Sequence, residues 1–162
     1  MKQNTLKQEG VSQGMNLTKD KYFIDTNLLV YLFSNKEPFK KNISLEILKN
    51  AYTTGKGIIS YQVIQEFCNV ALKKFEKPLS LEDCKLFINS FLFPICTVYP
   101  GNEIFNTALE IKLETHFSFY DSLILASAYS DNCKVVYSED LNPGRKVRDM
   151  IIVNPFSNST FV

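Results

Sequence analysis

Short β-rich runs alternate with segments of helical periodicity along most of this chain, and that alternation narrows the folding options more than any other feature. The β-rich runs lie at 22–25, 57–60, 95–99, 134–137 and 150–153. Between them apolar residues return at helical spacing near 27–34, 41–53, 61–75, 80–91, 102–115 and 119–131. Ser80-Leu-Glu-Asp83 and Ser118-Phe-Tyr-Asp121 have the form of capping boxes at helix starts. Pro78, Pro100-Gly101 and Asn142-Pro143-Gly144 mark connections. Strands alternating with helices predict an α/β fold, a mainly parallel central sheet covered on both faces. In such folds ligands bind beyond the carboxyl ends of the strands.

With 162 residues the chain is expected to form one domain with a real core. Residues 1–19 are polar with scattered hydrophobes and are expected to be a mobile extension, with Met15 as a candidate internal start. The folded domain is expected over 20–156, followed by a flexible tail at 157–162. No window is long and apolar enough for a transmembrane helix, and the amino-terminal stretch lacks the apolar core of a secretory signal, so a cytoplasmic location and no membrane partner are expected. Cys68, Cys84, Cys96 and Cys133 are widely spaced and set among apolar residues, which predicts buried free thiols rather than a zinc site or a disulfide framework. The net charge of +1 excludes a global basic field, so any polyanion must be held by a local patch.

Four acids stand where an apolar segment ends or turns over: Asp25 after Tyr22-Phe-Ile, Glu66 in Val63-Ile-Gln-Glu-Phe67, Asp121 in Phe119-Tyr-Asp-Ser-Leu-Ile124, and Asp140 after Val135-Val-Tyr-Ser-Glu139. Carboxylates are rarely buried unless paired or metal-bound, because desolvating an anion is expensive. Three of the four also have ordinary structural roles open to them: Asp25 as a helix cap, Asp121 as the acid of its capping box, Asp140 as a turn residue. Glu66 is mid-helix and faces inward with Val63, Phe67 and Val70, while Lys73 and Lys74 are expected on the wet face, so it has the weakest such excuse. Asp25 and Asp140 each follow a strand, which places both at the carboxyl edge of the sheet. Clustered carboxylates repel, and a hard divalent cation, Mg²⁺ or Mn²⁺, relieves the repulsion while activating water and stabilising charge on a phosphate oxygen. His116 is the only histidine and lacks a partner nucleophile, so it is read as a helix-end or core residue.

These segments resemble the PIN domain, the metal-dependent nuclease family that includes the VapC-type toxins of bacterial toxin–antitoxin pairs. Phe23-Ile-Asp-Thr-Asn-Leu-Leu29 resembles the family's opening strand and turn, in which the Asp is a metal ligand and the following Thr26 and Asn27 support it. Ile59-Ser-Tyr-Gln-Val-Ile-Gln-Glu-Phe67 resembles the segment that supplies the Glu, and Phe119-Tyr-Asp-Ser-Leu-Ile-Leu-Ala-Ser-Ala128 the helix start with the next Asp. Val136-Tyr-Ser-Glu-Asp-Leu141 resembles the strand end with the last acid, with Ser138 as the usual small hydroxyl residue and Glu139 as a subsidiary helper.

The resemblance implies an α/β/α sandwich and Mg²⁺- or Mn²⁺-dependent hydrolysis of phosphodiester bonds, usually in RNA. Asp25, Glu66, Asp121 and Asp140 would be the metal-binding and catalytic residues. It also implies an antitoxin protein as partner, docking in an apolar groove between the early helices, and a homodimer; the many Phe and Tyr residues fit either packing or the core. Arg145, Lys146 and Arg148, just beyond Asp140, form a candidate RNA-binding loop, and Lys36, Lys40 and Lys41 a second basic group. A housekeeping RNA-processing nuclease is the alternative inside the family. A phospho-accepting signalling module is the alternative outside it, but the acidic pair it needs after the first strand is missing. A binding-only domain on the same scaffold is a third reading.

Overall fold

Tyr22, Phe23 and Ile24 form the central strand β1 (Tyr22–Ile24), with every side chain buried. The computed structural model describes residues 17–157. The expected amino-terminal extension lies almost wholly outside the described residues, as do Met15 and all of the expected tail except Ser157. Along the chain follow α1 (Thr26–Tyr31), α2 (Pro38–Thr54), β2 (Gly57–Ser60), α3 (Tyr61–Ala71), α4 (Leu81–Phe87), β3 (Cys96–Val98), α5 (Asn102–Thr115), α6 (Phe119–Ser130), β4 (Val135–Tyr137), β5 (Lys146–Val147) and β6 (Met150–Val153). The sheet order is β3-β2-β1-β4-β6-β5, parallel throughout except for β5 against β6.

The expected α/β architecture is therefore present. β1, β2 and β4 are buried on both faces, so their sequences run apolar without alternation. α2 packs on β2 and on α1, α3 on α1, and α5 on α6, which in turn lies against β2. Tyr22 is fully buried, and its hydroxyl donates to Ile47 O (3.1 Å) and Asn50 Oδ1 (2.8 Å), satisfying the polar tip at the α2 contact. At Gly57 β2 lies close against α2: a Cβ there would lie 2.4 Å from Ala51 Cβ and 2.7 Å from the Tyr22 ring. Gly55 ends α2 in the left-handed region at φ 67°, which glycine adopts without a Cβ penalty.

Several boundaries differ from those read in the sequence. α2 begins at Pro38 rather than 41, since proline at the first helical position has no amide to lose. α3 ends at Ala71, and the helix starting at Leu81 widens into a π turn (Ile88–Leu92) and a 3₁₀ turn (Phe93–Ile95) before β3. β5 was not anticipated; two residues are too few to show a period. Cys84, Cys96 and Cys133 are buried free thiols and Cys68 is half-buried. No helix among the described residues is long and apolar enough to cross a membrane.

Candidate active site

The topology brings the acids to one edge of the sheet. Asp25 follows β1, and Ser138 to Asp140 follow β4. α3 starts where β2 ends, and α6 starts at the same edge because it must run back before the parallel strand β4. An open cleft of about 290 Å³ is lined there by Asp25, Glu66, Asp121 and Asp140, together with Thr26, Asn27, Gln62, Asn69, Lys74 and Tyr120. Residues up to 115 positions apart in sequence thus share one cavity.

Asp25 is the most firmly held of the four. It is buried, caps α1, and takes a hydrogen bond from Thr26 N–H at 2.7 Å on Oδ1 and one from Ser138 Oγ at 2.6 Å on Oδ2. Its own amide donates to Tyr137 O, and Ser138 N–H donates to Val153 O, so the carboxylate is pinned across β1, β4 and β6. Burial pushes its pKa up to about 6; the hydrogen bonds from Ser138 and Thr26 oppose this, and the neighbouring charges of Glu66 and Asp140 add to it.

Glu66 is fixed by the residue next to Asp25. Thr26 Oγ1 donates to Glu66 Oε2 at 2.6 Å, and Gln62, one helical turn earlier on α3, donates Nε2 to Oε1 at 2.7 Å. Asp121 fills the capping-box role foreseen for it: Ser118 Oγ accepts its amide at 3.1 Å and donates to its Oδ2 at 2.7 Å. It lines the cleft as well, so the capping role does not take it out of the cleft. Asp140 is exposed and accepts a hydrogen bond from Asn27 Nδ2.

The supporting residues divide. Thr26 holds Asp25 and Glu66, Asn27 holds Asp140, and Ser138 holds Asp25. Glu139 turns elsewhere: its carboxylate takes Lys40 Nζ at 2.6 Å and the Tyr31 hydroxyl, and it does not line the cleft. Burial raises its pKa, but the hydrogen bonds from Lys40 and Tyr31 outweigh that and hold it below the usual carboxylate range. Lys40, from the second basic group, is thereby committed to Glu139 and to the Tyr31 ring face at 4.6 Å.

Arg145 and Arg148 are occupied too. Arg145 donates to Thr115 O at 2.7 Å and sits over the Phe117 ring. Arg148 bridges Glu110 and Glu114 at 2.9 Å each and covers Tyr129. Lys146 is exposed on β5, and none of the three lines the cleft. The basic residue that does is Lys74, which the sequence pattern placed on the wet face of α3. Gln62, Asn69 and Tyr120 were also missed; positions 62, 66 and 69 recur at helical spacing, and that polar stripe was the available signal. His116 ends α5 in the left-handed region at φ 63°, the helix-end role expected of it.

The donor set is that of a hard-cation site: carboxylate and amide oxygens with one lysine against four acids. Among the described residues no three Asp, Glu, His or Cys side chains converge tightly enough to hold an ion as they stand. Each acid is instead turned to a local donor: Ser138, Thr26 and Gln62, Ser118, or Asn27.

Comparison with known proteins places this geometry in a family. The PIN domain family model matches residues 22–148. No curated protein matches the chain. Among solved structures, a toxin–antitoxin complex from Klebsiella pneumoniae aligns at TM-score 0.61 and 17% identity, covering 83% of this chain and 98% of that one. DNA-bound VapBC from Salmonella typhimurium aligns at TM-score 0.57 and 20% identity, covering 82% and 96%. VapC20 of Mycobacterium tuberculosis, described as a sarcin–ricin loop cleaving toxin, aligns at 0.55 and 15%, covering 75% and 92%. At these identities the likeness establishes the fold.

Proposed function

Because the chain belongs to the PIN domain family, we propose that it is a divalent-metal-dependent endoribonuclease and the toxin of a toxin–antitoxin pair, acting in the cytoplasm. The observation that carries this reading is the meeting of Asp25, Glu66, Asp121 and Asp140 in one cleft from four separate segments of the chain. Mg²⁺ or Mn²⁺ would be held by these four acids and, when bound, supplies water activation and charge neutralisation on a phosphate oxygen.

The chain's own residues prepare that chemistry. Ser138 and the Thr26 amide hold the Asp25 carboxylate at the cleft. Thr26 and Gln62 do the same for Glu66, which with Asp140 would accept a proton from the attacking water. Asn27 holds Asp140. Lys74 supplies a positive charge for the substrate's phosphates at the cleft wall.

The toxin role is supported by exposed apolar side chains of the early helices. Phe39, Leu45 and Tyr52 of α2 and Leu81, Leu86 and Phe91 of α4 and its π turn are exposed. Tyr52 hydrogen-bonds Phe91 O, tying the two parts together. An amphipathic antitoxin segment fits such a surface, and a homodimer would use another. Incubating the purified chain with RNA and Mn²⁺ beside Asp25→Asn tests the activity; induced expression with and without a neighbouring small gene tests the toxin role. Cleavage that persists in Asp25→Asn removes the proposed site, and normal growth on induction removes the toxin.

A further inference from the structure

Next to the acidic cleft lies a second pocket, of about 260 Å³, with a different chemistry. Tyr61, Tyr99, Phe105, Phe119, Tyr120 and Leu123 are among the residues that line it. The Tyr61 and Tyr99 rings lie 5.9 Å apart at 35°, and Phe105 and Phe119 stack at 6.1 Å. Gln62 and Tyr120 line both this pocket and the acidic cleft, so a ligand that spans the two crosses those side chains.

Two of the polar residues in the lining carry a buried oxygen without a partner. Ser60 is 2% exposed, and its Oγ has no hydrogen-bond partner among the described residues; neither has the buried Oε1 of Gln62. Buried polar atoms are seldom left in this state, because their desolvation goes uncompensated. The Gln62 amide is also fixed in direction. Its Nε2 donates to Glu66, a carboxylate that only accepts, so Oε1 is held as an acceptor turned away from that acid.

The ligand that these features describe is flat and apolar on its faces, carries hydrogen-bonding groups on its edge, and is joined to an anionic backbone. We propose that the pocket receives a nucleobase, that of the nucleotide adjoining the phosphate in the acidic cleft. The base stacks on the tyrosine wall and turns its edge to Gln62 Oε1 and Ser60 Oγ, which favours a base presenting an N–H there. Stacking on aromatic side chains is the common means of holding unpaired bases. At about 260 Å³ the pocket lies just below the range for drug-sized ligands, which suits one base. The inference rests on the nuclease reading for its backbone placement. A second copy of this chain covering the same rings is the rival occupant.

Uncharged nucleosides test the pocket without phosphate or metal. Each of the four is titrated into the full chain while ring-proton resonances of Tyr61, Tyr99 and Phe105 are followed by NMR. At least one nucleoside is expected to shift them saturably, with affinity about tenfold weaker in Tyr99→Ala and lost in Leu123→Trp, which fills the space. The second readout is cleavage of single-stranded RNA carrying one abasic position at a time. One position beside the cut is expected to lower kcat/KM about tenfold, and Tyr99→Ala to flatten that profile to within twofold. Resonances that no nucleoside moves, or that move with protein concentration alone, overturn the proposal; the latter places a second copy there. A flat abasic profile with RNA still cut overturns the pocket and leaves the nuclease standing. Nucleoside binding without cleavage of any RNA does the reverse.

Discussion

Charge gathers in two regions of this molecule, and they treat it in opposite ways. In the β5–β6 hairpin Arg145 and Arg148 are spent: one on a backbone carbonyl and a phenyl ring, the other on two glutamates and a tyrosine ring. In the cleft four carboxylates face one lysine and a few neutral donors, and Asp25 is pushed up to about 6, chiefly by burial, with the charges of Glu66 and Asp140 adding to it. A charge with partners of its own serves the fold. A charge left short of partners is poised for something that arrives from outside, which is why the acidic cleft, and not the arginine hairpin, reads as the working site.

The sharpest way to break that contrast is through Asp25. Asp25→Asn is expected to lower RNA cleavage by on the order of 10³-fold, about 4 kcal/mol of transition-state stabilisation, with an unchanged circular dichroism spectrum. Wild-type turnover in the variant would return the cleft to ordinary surface.

The same substitution should make the protein more stable. Asp25 binds its proton more tightly in the fold, near pH 6, than its ordinary value of 3.8 allows, so the ionised form costs stability. That cost is absent below about pH 4 and complete above about pH 6. Two pH units correspond to about 3 kcal/mol. Without divalent ions, Asp25→Asn should therefore gain up to about 3 kcal/mol in urea unfolding at pH 7.5 and nothing near pH 4. A gain that does not change with pH would mean that the carboxylate is not under this strain.

Arg148→Ala should cost about 1 kcal/mol, since its two partners are well exposed and such pairs are weak, and should leave RNA affinity unchanged. Lys74→Ala should show the converse. Stability stays within about 0.5 kcal/mol, while RNA binding weakens about threefold to tenfold and the slope of log affinity against log salt falls by about one. If the two variants exchanged phenotypes, the division between structural and working charge would be wrong.

Much of the architecture was legible because it is written in local patterns. β1, β2 and β4 announce themselves as continuous apolar runs, and Ser80 and Ser118 mark helix starts by capping. β5 was hidden because its two residues take their pairing from β6. The four acids could be singled out because each interrupts an apolar stripe or ends a strand. What Arg145 and Arg148 do could not be read, since Thr115, Glu110 and Glu114 lie at least 30 residues away. Glu139 was misleading for the same reason: it sits beside Asp140 in sequence, but its partners Tyr31 and Lys40 come from the other end of the chain. Lys74 looked like surface because α3 stops at Ala71, and the helical wheel no longer applies three residues later.

Calorimetric titration of Mn²⁺ into the full chain at pH 6, in two buffers of different ionisation enthalpy, addresses the cleft most directly. Binding that is accompanied by proton release, and that weakens at least tenfold in Asp25→Asn with the release gone, is the predicted result. Equal Mn²⁺ affinity in both proteins, or no binding to either, would contradict the assignment of these carboxylates to a cation.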